Sequence, residues 1–72
     1  MRLTLFKNSA IINSQDWDSV EEKPTHLNCI RKEGDIEYTV VFPKSGFTSA
    51  QIVDSNFHVQ VVKGEFKKDE EL

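Results

Sequence analysis

Hydrophobic and polar residues alternate along several short stretches of this chain, and alternation with a period of two is typical of β-strands. In the stretch 2–7, Leu3 and Leu5 share one side of a predicted strand. Asn8-Ser9 then predicts a turn, and Ala10-Ile11-Ile12 predicts a second short strand that returns along the first.

The clearest predicted element is a hairpin over 25–42. Alternating apolar residues mark its second strand: Ile36, Tyr38, Val40 and Phe42. We predict a four-residue turn at 32–35, because a two-residue type I′ turn would strain Glu33. This register places Cys29 opposite Tyr38, and Leu27 opposite Val40, on the buried face.

A second hairpin is predicted over 47–62, with a strand at 57–62 and a three-residue loop at 54–56 in which Asn56 adopts the left-handed conformation. The arm at 49–53 is open to two interpretations. Thr48 and Gln51 match a capping box for a short helix. Ile52 and Val53 are β-branched and favour a strand, which we prefer.

The stretch 15–22 has two further interpretations, a two-turn helix or an acidic loop held in place by Trp17. Taken together, the patterns predict a mainly β fold. We expect a small single-domain antiparallel sheet or open barrel of four to five short strands, with at most one short helix at about 15–22. The domain is expected to span 1–66, followed by a charged and disordered tail at 67–72.

Size and charge exclude several classes of function. The chain has 72 residues and a net charge of −3, and its basic residues form no cluster, so direct nucleic-acid binding is not expected. No apolar run approaches the roughly 20 residues of a membrane span, so no membrane association is expected. The start of the chain has no secretory pattern and Cys29 is a lone cysteine, which favours the cytoplasm of a bacterium or of a phage-infected bacterial cell.

The residues with reactive side chains do not predict an enzyme. His26, Cys29 and His58 are possible metal ligands, but positions 26 and 29 point to opposite faces of a strand and no fourth ligand is evident. Cys29 is expected to pack on the apolar face, where a thiol is a poor nucleophile. We therefore expect no catalytic residues, no metal and no cofactor.

One stretch stands out as a candidate site. Between positions 16 and 22, four acidic residues and no basic residue accompany the single tryptophan of the chain. The residues of this candidate site are Asp16, Trp17, Asp18, Glu21 and Glu22. The plain interpretation is that Trp17 caps one end of a small core and the acids are solvated. The alternative interpretation is a protein-binding patch in which Trp17 anchors the partner and the acidic side chains attract its basic surface.

These features predict a small non-enzymatic protein-binding module. We expect an inhibitor or regulator that occupies a basic surface of a larger protein, such as a nucleic-acid-processing machine. A short, acidic, β-rich chain is typical of accessory proteins of phages and mobile elements, such as anti-restriction or anti-CRISPR proteins. The alternative is a structural or assembly subunit that forms homo-oligomers through free strand edges.

Overall fold

The computed structural model describes residues 1–66, which form seven strands and one short 3-10 turn. The strands are β1 (Arg2–Lys7), β2 (Ala10–Asp16), β3 (Ser19–Glu22), β4 (His26–Glu33), β5 (Ile36–Pro43), β6 (Ser49–Val53) and β7 (Val59–Lys63), and the turn is Lys44–Gly46. A four-stranded sheet has the order β2-β1-β6-β7, and a three-stranded sheet has the order β3-β4-β5. All pairs of neighbouring strands are antiparallel.

The predicted mainly β fold is confirmed, with seven strands in place of the four or five expected and with two sheets that do not close into a barrel. Within residues 1–66 there is no helix long and apolar enough to cross a membrane. The predicted tail at 67–72 lies outside the described residues.

The two sheets share one hydrophobic core, and alternation along each strand explains which side chains enter it. The four-stranded sheet contributes Leu3, Leu5, Ala50, Ile52 and Val62. The three-stranded sheet contributes Leu27 and Cys29, and the connecting segments contribute Trp17 and Phe47. Val20 and Phe42 pack against this cluster and are partly buried.

The first hairpin follows the sequence pattern closely. β1 and β2 are strands, as predicted, and Asn8 adopts a left-handed conformation (φ 59°) in the turn between them. The register shifts at Leu5/Phe6, because one extra residue of β2 forms a bulge there. β2 continues to Asp16, well beyond the three residues that the pattern predicted.

No helix forms at 15–22. The segment instead leaves the four-stranded sheet at Trp17 and enters the three-stranded sheet as β3. Trp17 is held at the crossing by two backbone hydrogen bonds: its N–H donates to the Met1 carbonyl oxygen (2.7 Å), and the Met1 amine donates to its carbonyl oxygen (2.8 Å). Pairing of β3 with β4 satisfies backbone groups that a helix of two turns would satisfy only in part.

The register of the β4–β5 hairpin differs from the prediction by two residues. Cys29 lies opposite Val40 and Arg31 lies opposite Tyr38, so the predicted Cys29–Tyr38 and Leu27–Val40 pairs are wrong. The loop has two residues, Gly34 and Asp35, of which only Gly34 has a positive φ (62°). This is the pattern of a type II′ turn, which puts glycine first and places no strain on Glu33.

The second predicted hairpin is present, and its first arm is the strand β6 that the β-branched residues favoured. Its loop has five residues, from Asp54 to His58, where three were predicted. The Asp54 carboxylate holds the loop by accepting hydrogen bonds from the N–H groups of Asn56 and His58, both at 2.9 Å. The left-handed residue is Phe57 (φ 65°), and the prediction for Asn56 is wrong.

Candidate functional site

Trp17, the proposed anchor of the acidic patch, belongs to the core. Its side chain is only 6% exposed, and its ring meets the ring of Phe42 edge to face with centroids 6.1 Å apart. Within residues 1–66 its buried indole N–H has no hydrogen-bond partner. Trp17 therefore presents almost no surface to a partner in this conformation, and its packing stabilises the crossing between the sheets.

The four acidic residues around Trp17 come from both sheets and from the segment between them. Asp16 ends β2 in the four-stranded sheet, whereas Glu21 and Glu22 lie in β3 of the other sheet. Adjacent residues of a strand point to opposite faces, so Glu21 and Glu22 also diverge from each other.

Each of these carboxylates also contacts a nearby donor. Asp16 pairs with Arg2 (Oδ1 to Nε, 3.4 Å), and Glu21 pairs with Lys23 (Oε1 to Nζ, 3.6 Å). Glu22 pairs with the largely buried ammonium of Lys44 (Oε2 to Nζ, 2.9 Å). Local pairing of this kind weakens the long-range field that would attract a basic partner.

Asp18 makes two hydrogen bonds to β4. Its backbone N–H donates to the Ile30 carbonyl oxygen (2.8 Å), and its carboxylate Oδ2 accepts from the backbone N–H of Lys32 (2.6 Å). β3 pairs with β4 only as far as Ile30. The side chain of Asp18 thus supplies the acceptor for the first β4 donor beyond the end of this pairing.

Cys29 is fully buried in β4, and this predicted packing role is confirmed. Burial raises the pKa of the Cys29 thiol to about 11, because the interior disfavours the thiolate. The thiol is therefore protonated at neutral pH, which makes it a poor nucleophile. Within residues 1–66 no group of three or more His, Cys, Asp or Glu side chains could hold a metal ion.

The longest run of exposed residues within 1–66 is the outer part of the β4–β5 hairpin, residues 31–41, which we call the hairpin arm. Every residue in this range is exposed. Beyond Ile30, β4 has β5 as its only neighbouring strand, so the hairpin arm is a two-stranded ribbon. Isolated two-stranded ribbons are marginally stable in water.

The inward face of the hairpin arm carries an apolar stripe that continues the core. Cross-strand pairing puts three exposed side chains on the same face of β5 as the partly buried Phe42: Ile36, Tyr38 and Val40, which are 56%, 44% and 37% exposed. The exposed fraction falls steadily towards the core. These residues have the alternation of buried positions, but no strand of the other sheet covers them.

The free edge of β5 can be assigned from the hydrogen bonds of β4. Even-numbered β4 residues bond towards β3, since Ile30 accepts from Asp18 and His26 accepts from Lys23 (both 2.8 Å). Odd-numbered β4 residues therefore bond to the even-numbered residues of β5 that lie opposite them. Three β5 residues consequently direct their backbone N–H and C=O groups to the open edge: Glu37, Thr39 and Val41.

The sequence pattern assigns the apolar residues of β5 to the core and so does not predict the hairpin arm. One signal was available in the sequence. Val40, Val41 and Phe42 are consecutive apolar residues, so β5 carries hydrophobic side chains on both of its faces. A strand of a small two-layered protein has only one face to bury, which leaves the other face for a partner.

A second exposed apolar region lies on the other sheet. Val59 and Val61 face outward from the edge strand β7 and are 59% and 66% exposed, and Phe57 in the preceding loop is 83% exposed. Beside this loop, an open depression of about 370 Å³ reaches the N-terminus and the Arg2–Asp16 pair. Of its polar side chains, Arg2 and Asp16 pair with each other, and Asp54 accepts hydrogen bonds from its own loop.

Comparison with protein-family models, with curated protein sequences and with solved structures finds no match for this chain.

Proposed function

We propose that this chain is a non-enzymatic protein-binding module whose binding element is the hairpin arm. One observation carries the proposal: the apolar stripe of β5 extends past the other sheet and stays exposed beside an unpaired strand edge. An exposed, eight-residue edge strand with apolar side chains is a template for pairing with another chain. Main-chain hydrogen bonds supply affinity in such pairing, and alternate side chains supply specificity.

Two exposed features of the hairpin arm favour the binding of a partner. The hairpin arm exposes Ile36, Tyr38 and Val40 to water, which costs free energy that a partner would recover on burying them. A free edge also leaves backbone donors and acceptors to water alone. Tyr38 is the natural anchor, because tyrosine is enriched among the residues that dominate binding energy at interfaces.

The sequence-based hypothesis of an inhibitor or regulator directed at a basic surface stays a prediction. Its proposed contacts were Asp16, Trp17, Asp18, Glu21 and Glu22. Their separation over two sheets and the burial of Trp17 give this surface less support than the hairpin arm has. Asp18 contacts Lys32 on the β3 side of β4, whereas a partner strand would pair on the opposite side, at the open edge of β5.

Photo-crosslinking in cells tests the proposal. A photoreactive phenylalanine analogue replaces Tyr38 in the full chain, and the matched control places it at Phe57, an aromatic residue that is still more exposed. We expect protein adducts from position 38 and few or none from position 57. The absence of adducts from position 38, or equal yields from both positions, would contradict the hairpin arm as the binding element.

A charge variant separates the acidic stretch from the hairpin arm. Glu21→Lys reverses an exposed charge whose nearest cation is Lys23, so the fold is expected to tolerate it. If the hairpin arm is the binding element, this change leaves the adduct yield from position 38 unchanged. A large loss of adducts at low salt would instead favour the acidic stretch.

A further inference from the structure

We infer that the occupant of the hairpin arm is a second copy of this chain, with β5 of one copy antiparallel to β5 of the other about a two-fold axis at Thr39. This inference rests on the proposed function and names its partner. The resulting dimer has a continuous six-stranded sheet with the strand order β3-β4-β5-β5-β4-β3. Two-fold dimers are the commonest oligomers of soluble proteins, and their interface must be complementary to itself.

Backbone hydrogen bonding restricts the possible registers. Glu37, Thr39 and Val41 direct their N–H and C=O groups to the open edge, so they must face one another across the interface. The axis can then pass through any one of the five positions from 37 to 41. An axis at Thr39 places Thr39 opposite Thr39 of the second copy and Glu37 opposite Val41. Each residue that directs its backbone groups to the open edge then exchanges both an N–H and a C=O hydrogen bond with the residue opposite it.

The other registers lose part of this complementarity. An axis at Glu37 sets two carboxylates directly opposite each other. An axis at Tyr38 pairs Val41 with Asp35, which lies in the turn. An axis at Val40 or Val41 brings Pro43 into the hydrogen-bonding row, and proline has no N–H to donate.

The side chains agree with the Thr39 register. On the inward face Tyr38 lies opposite Val40 of the second copy, and Ile36 lies opposite its Phe42, so the two apolar stripes merge. Glu37 is the only ionised side chain of β5, and its neighbour across the interface is the apolar Val41. No like charges face each other, and the exposed Val41 gains cover on the outer face.

Edge strand β7 is one competing route to self-association. Its apolar residues Val59 and Val61 are exposed, but it has five residues where β5 has eight. Its Gln60 side chain also contacts Glu22 of the other sheet (3.5 Å), so β7 lies against the body of the molecule. Among residues 1–66, no hydrogen bond or ion pair joins the hairpin arm to the four-stranded sheet.

Cysteine cross-linking tests the register. Opposite residues in a hydrogen-bonded pair have Cα atoms about 5.5 Å apart, which a disulfide can bridge, so Thr39→Cys should form a covalent dimer under mild oxidation. Glu37→Cys is the matched control, because its copy would lie four positions away, about 13 Å. Both variants keep the native Cys29, which is buried, so it contributes equally to the two measurements.

We expect disulfide formation at position 39 to be at least about tenfold faster than at position 37. Equal rates, as parallel in-register pairing would give, or faster reaction at position 37, would overturn the inference.

Sedimentation equilibrium on the full chain tests the dimer itself. Thr39→Lys sets two like charges at the two-fold axis and should raise the dimer dissociation constant at least about tenfold. Val61→Lys adds the same charge to β7 and should leave this constant unchanged. Loss of the dimer in Val61→Lys, with retention in Thr39→Lys, would place the interface on β7 and overturn the inference. Circular dichroism of both variants verifies their folding.

Different results would contradict the second copy as the partner and the hairpin arm as the binding element. A wild-type chain that stays monomeric up to about 1 mM overturns the second copy as partner. If position 38 nevertheless cross-links to another protein in cells, the hairpin arm remains the binding element and only its occupant changes. A monomeric chain without adducts from position 38 contradicts both.

Discussion

The carboxylate of Asp18 accepts a hydrogen bond from the backbone N–H of Lys32 at 2.6 Å, where β4 leaves the cover of β3. A side chain thus continues the hydrogen bonding of a strand by one more position. Asp18 also bonds through its own N–H to Ile30, so both of its contacts fasten the base of the hairpin arm. The acidic stretch is therefore connected to the hairpin arm by a structural contact rather than by charge alone.

Removal of this contact should loosen the hairpin arm. We expect Asp18→Ala to cost about 1 kcal/mol of unfolding free energy, the usual contribution of such a hydrogen bond, and to accelerate hydrogen exchange at Lys32. Asp16→Ala is the control, since it removes only an exposed ion pair with Arg2 and should cost less than about 0.5 kcal/mol. Exchange at Lys32 that is the same in both variants would show that Asp18 does not hold the hairpin arm.

Tyr38 should contribute little to the stability of the monomer. Its side chain is 44% exposed, so Tyr38→Ala is expected to cost less than about 1 kcal/mol, whereas truncation of the fully buried Leu27 should cost about 3 kcal/mol. Urea denaturation below the concentration at which copies associate measures both. A cost near 3 kcal/mol for Tyr38→Ala would place this side chain in the core, where the sequence pattern alone had put it.

Cys29 should make stability depend on pH in the alkaline range. Burial raises the thiol pKa from 9.0 to about 11, so the folded chain keeps a proton that the unfolded chain releases. Stability is then complete below about pH 9 and falls by about 2 kcal/mol as the pH rises to 11.

The matched variant for this measurement is Cys29→Ala, which keeps every other titrating group. The difference in unfolding free energy between wild type and variant should change across pH 9–11 and stay constant below it. A difference that does not vary with pH would show that the thiol titrates normally in the folded chain.

Gly64 should tolerate no side chain. A Cβ atom at this position would overlap the backbone carbonyl oxygen of Phe47, and the Gly64 N–H also donates to the Thr48 carbonyl oxygen (2.8 Å). We expect Gly64→Ala to cost about 2 kcal/mol or more, because backbone atoms cannot move aside cheaply. Gly46→Ala, where a Cβ meets nothing within 4 Å, should change the urea midpoint very little.

Local patterns in the sequence determined the strands and their faces. Alternation of period two located β1, the two strands of the central hairpin and β7, and it placed Cys29 on a buried face, while β-branched residues favoured the strand β6. The same alternation explains why the error in the β4–β5 register is two residues. A shift of two keeps every side chain on its face, so the hydrophobic pattern cannot distinguish these registers and the choice lies with the turn at Gly34-Asp35.

Tertiary structure alone decided the stretch 15–22 and the exposure of the hairpin arm. A segment of eight residues has no strong preference of its own. Pairing of its first two residues with β1, and of its last four with β4, made it a strand on both sides of the buried Trp17. Tyr38 and Phe42 share one face of β5, yet Tyr38 is exposed while Phe42 packs on the core. Burial depends on what lies across from a side chain, and the reach of the opposing sheet is set by contacts between residues far apart in the chain.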